Sequence, residues 1–388
     1  MCHNAGSVLL WRSLSFQRQE DFSMSSTDLA SVGDHFIVGL RPTTSLDPAD
    51  RALLRDLRPA GIILYKSNFC HDLPYEAWLA NHAKLVSDVR EVTGRERLFI
   101  AIDHEGGRVC RTPAPITRYT YARAWGEDAG AVGAAMGAEL ASLGINLSFA
   151  PVLDIDSNPK NPVIGARSFD TTVEGVVAKA LTFAKAMEGQ GVRACGKHFP
   201  GHGDTQVDSH LELPVIDATV DELRRRELQP FAAAIDAGIG MIMTSHILFR
   251  AIDPDWPATL SRKITHGLLR EEMGFEGVIV SDDVSMRAVS RLFDNPDMAV
   301  NFMAAGNDML MICAHWGDTE RARPLAERVI EARRSGALSG ADLDRSKARV
   351  DRMLATTSLN SVTRLSEDVL RAHAKAGALF SDATVEVI

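Results

Sequence analysis

The chain has 388 residues, of which 45% are hydrophobic and 24% charged, and its 42 Lys+Arg against 51 Asp+Glu give a formal net charge of −9. A folded chain of this length buries roughly three quarters of the surface it exposes when unfolded, so intrinsic disorder, a collagen-like repeat and a cysteine-stapled scaffold are excluded. The acidic balance argues against broad affinity for nucleic acid, although a local basic patch is compatible with it.

The first 26 residues, MCHNAGSVLLWRSLSFQRQEDFSMSS, hold an apolar core of only Val8 to Trp11, too short for a signal peptide. Residues 1–27 are therefore read as a disordered extension, or as an upstream start ahead of Met24. Eight short β-rich runs then follow one another: 35–40, 61–65, 98–103, 146–152, 193–199, 240–246, 277–282 and 308–313. Their nearly continuous apolar character implies burial on both faces, as in a parallel sheet. Helical patterns separate them, at 74–93, 128–142, 174–188, 218–237, 262–273, 293–305 and 319–335. Strand–helix units repeated eight times predict an α/β fold, a (β/α)8 TIM-type barrel over residues 28–337. A doubly wound open sheet is the alternative. Residues 338–388 read as a C-terminal helical extension packed on the barrel, with helices over 343–354 and 367–377 capped by Asp342 and Ser366, and a final FSDATVEVI that adds a strand or trails away.

No run of 18 apolar residues is present, so no membrane span is expected. The five cysteines, at positions 2, 70, 110, 195 and 313, are odd in number and form no CxxC. Free thiols in a reducing compartment, and hence a cytoplasmic location, follow.

A barrel of this class works at the C-terminal ends of its strands. Polar residues gather there: Asp103, His104 and Glu105 after the third strand, Asp154 and Asp156 after the fourth, Lys197 and His198 ending the fifth, Ser245-His246 after the sixth and Ser281-Asp282-Asp283 at the seventh. Asn307 and Asp308 at the eighth are grouped with them. The segment KHFPGHGDTQVDSH is the most informative, because its glycines and proline make a long turn rather than a helix. Two chemistries suit it: metal binding by imidazole and carboxylate, or proton transfer by His210 with Asp208, two residues away, as its partner. Asp282, held at the end of a buried strand, suits a nucleophile or a metal ligand, whereas Asp283 should turn away and bond barrel backbone. Neither AIDHEGGRV nor KHFPGHGDT has the spacing of a phosphate-binding loop. Met241, Met243, Met309 and Met311 alternate within strands and read as core.

Five segments together resemble glycoside hydrolase family 3: AIDHEGGRVCR (101–111), SFAPVLDI (148–155), NPVIGARSF (161–169), KHFPGHGDTQVDSHLELP (197–214) and GVIVSDDVSM (277–286). Within the family they resemble the short, single-domain bacterial β-N-acetylhexosaminidases of the NagZ type. The resemblance implies a retaining double displacement on a (β/α)8 barrel, with Asp282 as nucleophile, His210 as acid/base and Asp208 as its partner. It further implies that Asp103, Arg111, Arg167, Lys197 and His198 bind the sugar, that no cofactor or metal is used, and that the substrate is a small carbohydrate or muropeptide met during cytoplasmic cell-wall recycling. His104 departs from the glutamine common at that position. The likeness leaves oligomeric state open, a monomer included. The rival readings are a β-glucosidase or a β-N-acetylglucosaminide phosphorylase of the same family, a metal-dependent barrel hydrolase using His198, His202, Asp204 and Asp282, and a noncatalytic sugar-binding barrel.

Overall fold

The computed structural model describes residues 26–206, 212–314 and 318–378. Ten strands occur among them: β1 (Phe36–Gly39), β2 (Gly61–Leu64), β3 (Phe99–Ile102), β4 (Leu147–Ser148), β5 (Arg193–Phe199), β6 (Val215–Ile216), β7 (Met241–Thr244), β8 (Leu248–Phe249), β9 (Val278–Asp283) and β10 (Met309–Ile312). Eight of them close into a barrel in the cyclic order β1-β2-β3-β4-β5-β7-β9-β10. Every neighbouring pair is parallel, and β1 meets β10 with Val38 opposite Ile312. The sheet therefore has no edge, and the open doubly wound alternative does not apply. The remaining pair, β6 and β8, forms a small parallel ribbon outside the barrel; strands of two residues leave no periodicity to read.

Side chains alternate across the barrel wall, as the two-residue repeat of a strand requires. Ile37, Ile63, Phe99, Ala101, Leu147, Cys195, Met241, Met243, Val280, Met309 and Met311 share one buried interior cluster. Ile62, Leu64, Ile100 and Ile102 point outward into the layer beneath the helices. All four alternating methionines are thus core, as expected from their spacing.

Two helices show why small residues were placed where they are. Ala129–Ser142 packs on Val173–Glu188, and a Cβ added to Gly133 would come within 2.4 Å of the Phe183 carbonyl oxygen. The segment 218–237 is not one helix but two, Val220–Arg225 and Leu228–Asp236. Pro230 has no N–H to continue a helix through this point, and it falls in the first turn of the second helix, where no intrahelical donor is needed. Segment 262–273 winds as a π-helix over Lys263–Glu272, and the helix expected from 293 begins only at Asp297. A further helix, Pro48–Leu57, is capped by the Asp47 side chain on the Ala49 N–H.

The chain then returns under the barrel. Helix Gly340–Thr356 inserts Val350, Met353 and Leu354 into the interior cluster and closes its floor. Its N-cap is Ser339, which accepts from the Asp342 N–H at 3.3 Å, rather than Asp342 itself. Ser366 accepts from the Val369 N–H at 3.3 Å and does cap the last helix, Glu367–Ala378. That helix docks through buried Leu370 and through His373 Nδ1, 3.1 Å from Glu139 Oε1. The 1–23 leader and the FSDATVEVI tail lie outside the described residues. Cys70, Cys110, Cys195 and Cys313 are all unpaired. No helix among the described residues is long and apolar enough to cross a membrane.

Candidate active site

Parallel strands all end on one face of the barrel, so the polar residues that follow them converge there. β3 delivers Asp103 and Glu105, and β5 delivers Lys197 from the neighbouring wall. Lys197 Nζ lies 2.6 Å from Asp103 Oδ1 and 2.6 Å from Glu105 Oε1. Arg167, brought in by the loop after β4, grips Glu105 with both ends of its fork: Nε donates to Oε2 at 2.8 Å and Nη2 to Oε1 at 2.9 Å. Burial alone would raise the Glu105 carboxyl, but the charges of Arg167 and Lys197 outweigh it and hold the group far below the usual carboxylate range. Burial would lower Lys197, and Asp103 and Glu105 outweigh that in turn, so its ammonium is held above the ordinary value. The cluster is a fixed set of charges, with 17% of the Asp103 side chain open to the barrel mouth.

His198 is oriented from below. Asp154 Oδ2 is 2.6 Å from His198 Nδ1, and the same carboxylate accepts the His198 backbone N–H at 3.1 Å and the His202 N–H at 2.7 Å. Burial would raise Asp154, but the neighbouring His198 outweighs it and the pKa falls. His202 lies behind, its Nδ1 2.9 Å from Thr205 Oγ1, and burial together with His198 pushes it down to about 4. Asn161 fastens the start of the same loop: its Nδ2 donates to the carbonyls of His202 and Gly203 at 2.8 and 2.9 Å. A Cβ on Gly203 would meet the Ile155 carbonyl at 1.7 Å, so the turn closes only with glycine there.

Asp282 ends β9. Its Oδ1 accepts the Asp283 N–H at 2.8 Å, which fixes one face of the carboxylate. Asp283 turns away, as expected, and its Oδ1 accepts the N–H groups of Ser285 and Cys313 at 2.9 and 3.0 Å. Burial pushes the Asp283 carboxyl up to about 7. His246 holds the same turn from β7, with Nε2 donating to the Asp283 carbonyl at 3.0 Å. In the cyclic strand order β9 stands four places from β3, so Asp282 faces the Asp103 cluster across the barrel mouth.

Arg111 lies with its guanidinium carbon 5.7 Å from the centre of the ring of Tyr65, the residue after β2. Its backbone N–H donates to His104 Nδ1 at 3.4 Å. The His104 ring is fully buried, and burial followed by the Arg111 charge lowers it to about 4, so it is a neutral imidazole.

Of the expected site residues, Asp103, Lys197 and Arg167 meet through Glu105, and Arg111, His198 and Asp282 end or follow strands at the same end of the barrel. Asp208 and His210 lie outside the described residues. Asp308 does not join the group: it precedes β10 rather than following it, and so lies at the other end of the barrel. The four residues of the metal-hydrolase reading do not converge, because Asp204 turns to Arg226 at 3.3 Å while His198 is committed to Asp154. Among the described residues no group of three or more His, Cys, Asp or Glu is placed to hold a metal ion. Glu105 was not singled out as a site residue, although it is central to the charge network. Its place two residues beyond Asp103, on the same side of an extended segment, was the available signal.

A closed parallel barrel that gathers carboxylates and cations on its C-terminal face has the layout in which (β/α)8 barrels place their sites. Residues 34–353 match the model described as glycosyl hydrolase family 3 N terminal domain, and the chain belongs to that family. A β-hexosaminidase of Methylococcus capsulatus is 41% identical over 280 residues, covering 70% of this chain and 80% of the relative. β-Hexosaminidase A of Pseudoalteromonas piscicida is 36% identical over 334 residues; the match covers 80% of this chain and only 55% of that longer protein. Among solved structures, a family 3 β-N-acetylglucosaminidase from Paenibacillus sp. str. FPU-7 superposes with a TM-score of 0.82 at 33% identity, over 93% of this chain and 68% of that one. NagZ from Neisseria gonorrhoeae superposes with a TM-score of 0.71 at 30% identity, over 89% of this chain and 98% of that one.

Proposed function

We propose that the protein is a retaining β-N-acetylhexosaminidase that releases terminal N-acetylglucosamine from β-linked substrates, with muropeptide fragments of the cell wall as its natural substrate and the cytoplasm as its place of action. The observation that carries the reading is the opposition of Asp282 to the Asp103–Lys197–Glu105–Arg167 network across one barrel mouth. One wall offers a carboxylate for attack, and the other offers fixed donors and acceptors for sugar hydroxyls. The unpaired cysteines agree with a reducing compartment.

In the first step a carboxylate oxygen of Asp282 bonds to the anomeric carbon while His210 gives its proton to the departing glycosidic oxygen. In the second, His210 takes a proton from water, the hydroxide oxygen bonds to the anomeric carbon, and the bond to Asp282 breaks. Two displacements retain the anomeric configuration. Asp208 stabilises the imidazolium between the steps. Arg167 and Lys197 position ring hydroxyls through Glu105 and Asp103, and His198, set by Asp154, offers Nε2 to the same ring.

The test is intact-mass detection of a covalent adduct with a 2-acetamido-2-deoxy-5-fluoro glycoside, followed by peptide mapping. An adduct of one glycosyl group on the peptide containing Asp282 is expected. An adduct elsewhere, or turnover through an inverted product, would overturn the assignment. Running the reaction with and without inorganic phosphate separates hydrolysis from phosphorolysis by the product formed.

A further inference from the structure

Beside the sugar-binding wall, the loops after β1, β2 and β3 line an open cleft of about 630 Å³. The catalytic reading assigns Arg111, on one wall of this cleft, to the sugar and gives the rest of the lining no role. We propose that the cleft is a second subsite, which binds an anionic ester group, sulfate or phosphate, carried on O6 of the bound N-acetylglucosaminyl residue. The inference rests on the reading of Asp282 as nucleophile, because that reading sets which way the sugar lies.

The direction follows from the ring of strands. β3 is diametrically opposite β9, and β1 is opposite β5. A sugar with its anomeric carbon over Asp282 and its leaving oxygen toward the loop after β5 sends its leaving group to the β5 side. Its remote hydroxyls then reach Asp103 at the end of β3. Thr44 follows β1, Lys66 and Ser67 follow β2, and Arg111 follows β3, so the cleft they line opens beyond the remote end of the ring, away from the leaving group.

The chemistry of the lining selects the charge. Lys66 is exposed and makes no ion pair among the described residues. Among the described residues Arg111 has no carboxylate partner and its buried Nε donor has no acceptor; its guanidinium rests on the Tyr65 ring. Asp72 is the single acid in the lining, against those two cations. Hydroxyls of Thr44 and Ser67 add neutral donors. An oxyanion would satisfy the buried Arg111 donor and gain charge-assisted hydrogen bonds, which are stronger than neutral ones. A second neutral sugar in the same space would use neither cation's charge.

Calorimetry should compare N-acetylglucosamine with its 6-sulfate and its 6-phosphate, on the wild-type chain and on Lys66→Gln. Binding of the anionic sugars about fivefold or more tighter is expected, falling toward parity in 0.5 M salt or in Lys66→Gln, while the neutral sugar binds both proteins alike. The two esters distinguish which group the subsite takes. Equal or weaker binding of both esters, or a preference that survives Lys66→Gln, would overturn the proposal. In parallel, kcat/KM is measured on 4-methylumbelliferyl N-acetyl-β-D-glucosaminide and its 6-sulfate. Hydrolysis of the plain substrate with no ester preference sinks the subsite alone. Ester-selective binding with no hydrolysis of either substrate sinks the proposed function and leaves the subsite standing.

Discussion

The two ends of the barrel use the same residue types for opposite ends. On the floor, Asp308 is fully buried, and its carboxylate is saturated: Arg270 donates to Oδ2, Arg349 donates to Oδ1 from Nε at 3.0 Å and Nη2 at 2.8 Å, and the Ile279 N–H donates to Oδ2 at 2.7 Å. Its own carbonyl takes His35 Nδ1 at 3.0 Å. This carboxylate ties β9, β10, the π-helix and helix Gly340–Thr356 into one joint. At the mouth, Asp103 meets the same kind of cation, Lys197, yet remains partly open. Saturation marks a structural charge, and a charge that is fixed yet reachable marks a working one. The contrast teaches that composition of a cluster says little until the direction of the strands beneath it is known.

The strongest break of that contrast is Asp282→Ala. Turnover should fall on the order of 10⁴-fold, with an unchanged denaturation midpoint, since Asp282 is partly exposed at a strand end. Near wild-type turnover would remove the nucleophile role. His210→Ala is the companion: loss of roughly 10²–10⁴-fold is expected on substrates with poor leaving groups and much less on activated aryl glycosides. Equal loss on both classes would count against an acid role.

Asp308→Ala should do the reverse. It strands two arginines in partly buried positions, and breaking a buried pair of this kind costs about 3–5 kcal/mol. Urea unfolding should show that loss, while kcat/KM per folded molecule stays at the wild-type value. A large fall in kcat/KM at full folding would mean that the floor and the mouth are coupled.

The barrel itself was legible from the amino-acid sequence because most of its buried strands are apolar runs, and all eight were placed within two residues of β1–β5, β7, β9 and β10 except at the C-terminal end of β4, where only Leu147–Ser148 is regular. What pattern could not supply was long-range pairing. Glu105 looks like any acid in a glycine-rich turn until Arg167, 62 positions on, closes on it. Asp308 was grouped with the mouth because it adjoins a strand, but it adjoins the beginning of that strand. The break at Arg226–Glu227 was hidden because apolar spacing runs through it; Pro230 was the readable sign.

Asp283 sharpens the comparison within the mouth, since it sits beside Asp282 yet is buried like a floor residue. Its folded pKa of about 7 lies above the ordinary carboxylate value. Between roughly pH 4 and 7 the folded chain holds a proton there that the unfolded chain has released, so this group lowers stability as pH rises, by up to about 4 kcal/mol. Asp283→Asn imitates the protonated form. Unfolding midpoints measured from pH 4.5 to 8 should show the variant gaining on the wild type as pH rises. Parallel curves would mean that Asp283 is ionised throughout.

The smallest expected effect is at His104. Its Nδ1 accepts the Arg111 N–H, so the neutral ring carries its proton on Nε2, which is buried without an acceptor among the described residues. Glutamine has a carbonyl to accept from Arg111 and a more flexible stem, so His104→Gln should change stability at pH 7.5 by less than about 1 kcal/mol. Its signature lies in acid. With a folded pKa of about 4, the buried imidazole refuses a proton that the unfolded chain takes up below about pH 6.5, so the wild type loses stability as pH falls through that window. The variant should lose less over the same range. Because this slope is opposite in sign to that of Asp283, the double variant separates the two, and a His104→Gln curve parallel to wild type between pH 4.5 and 6.5 would mean that the ring is protonated in the folded chain.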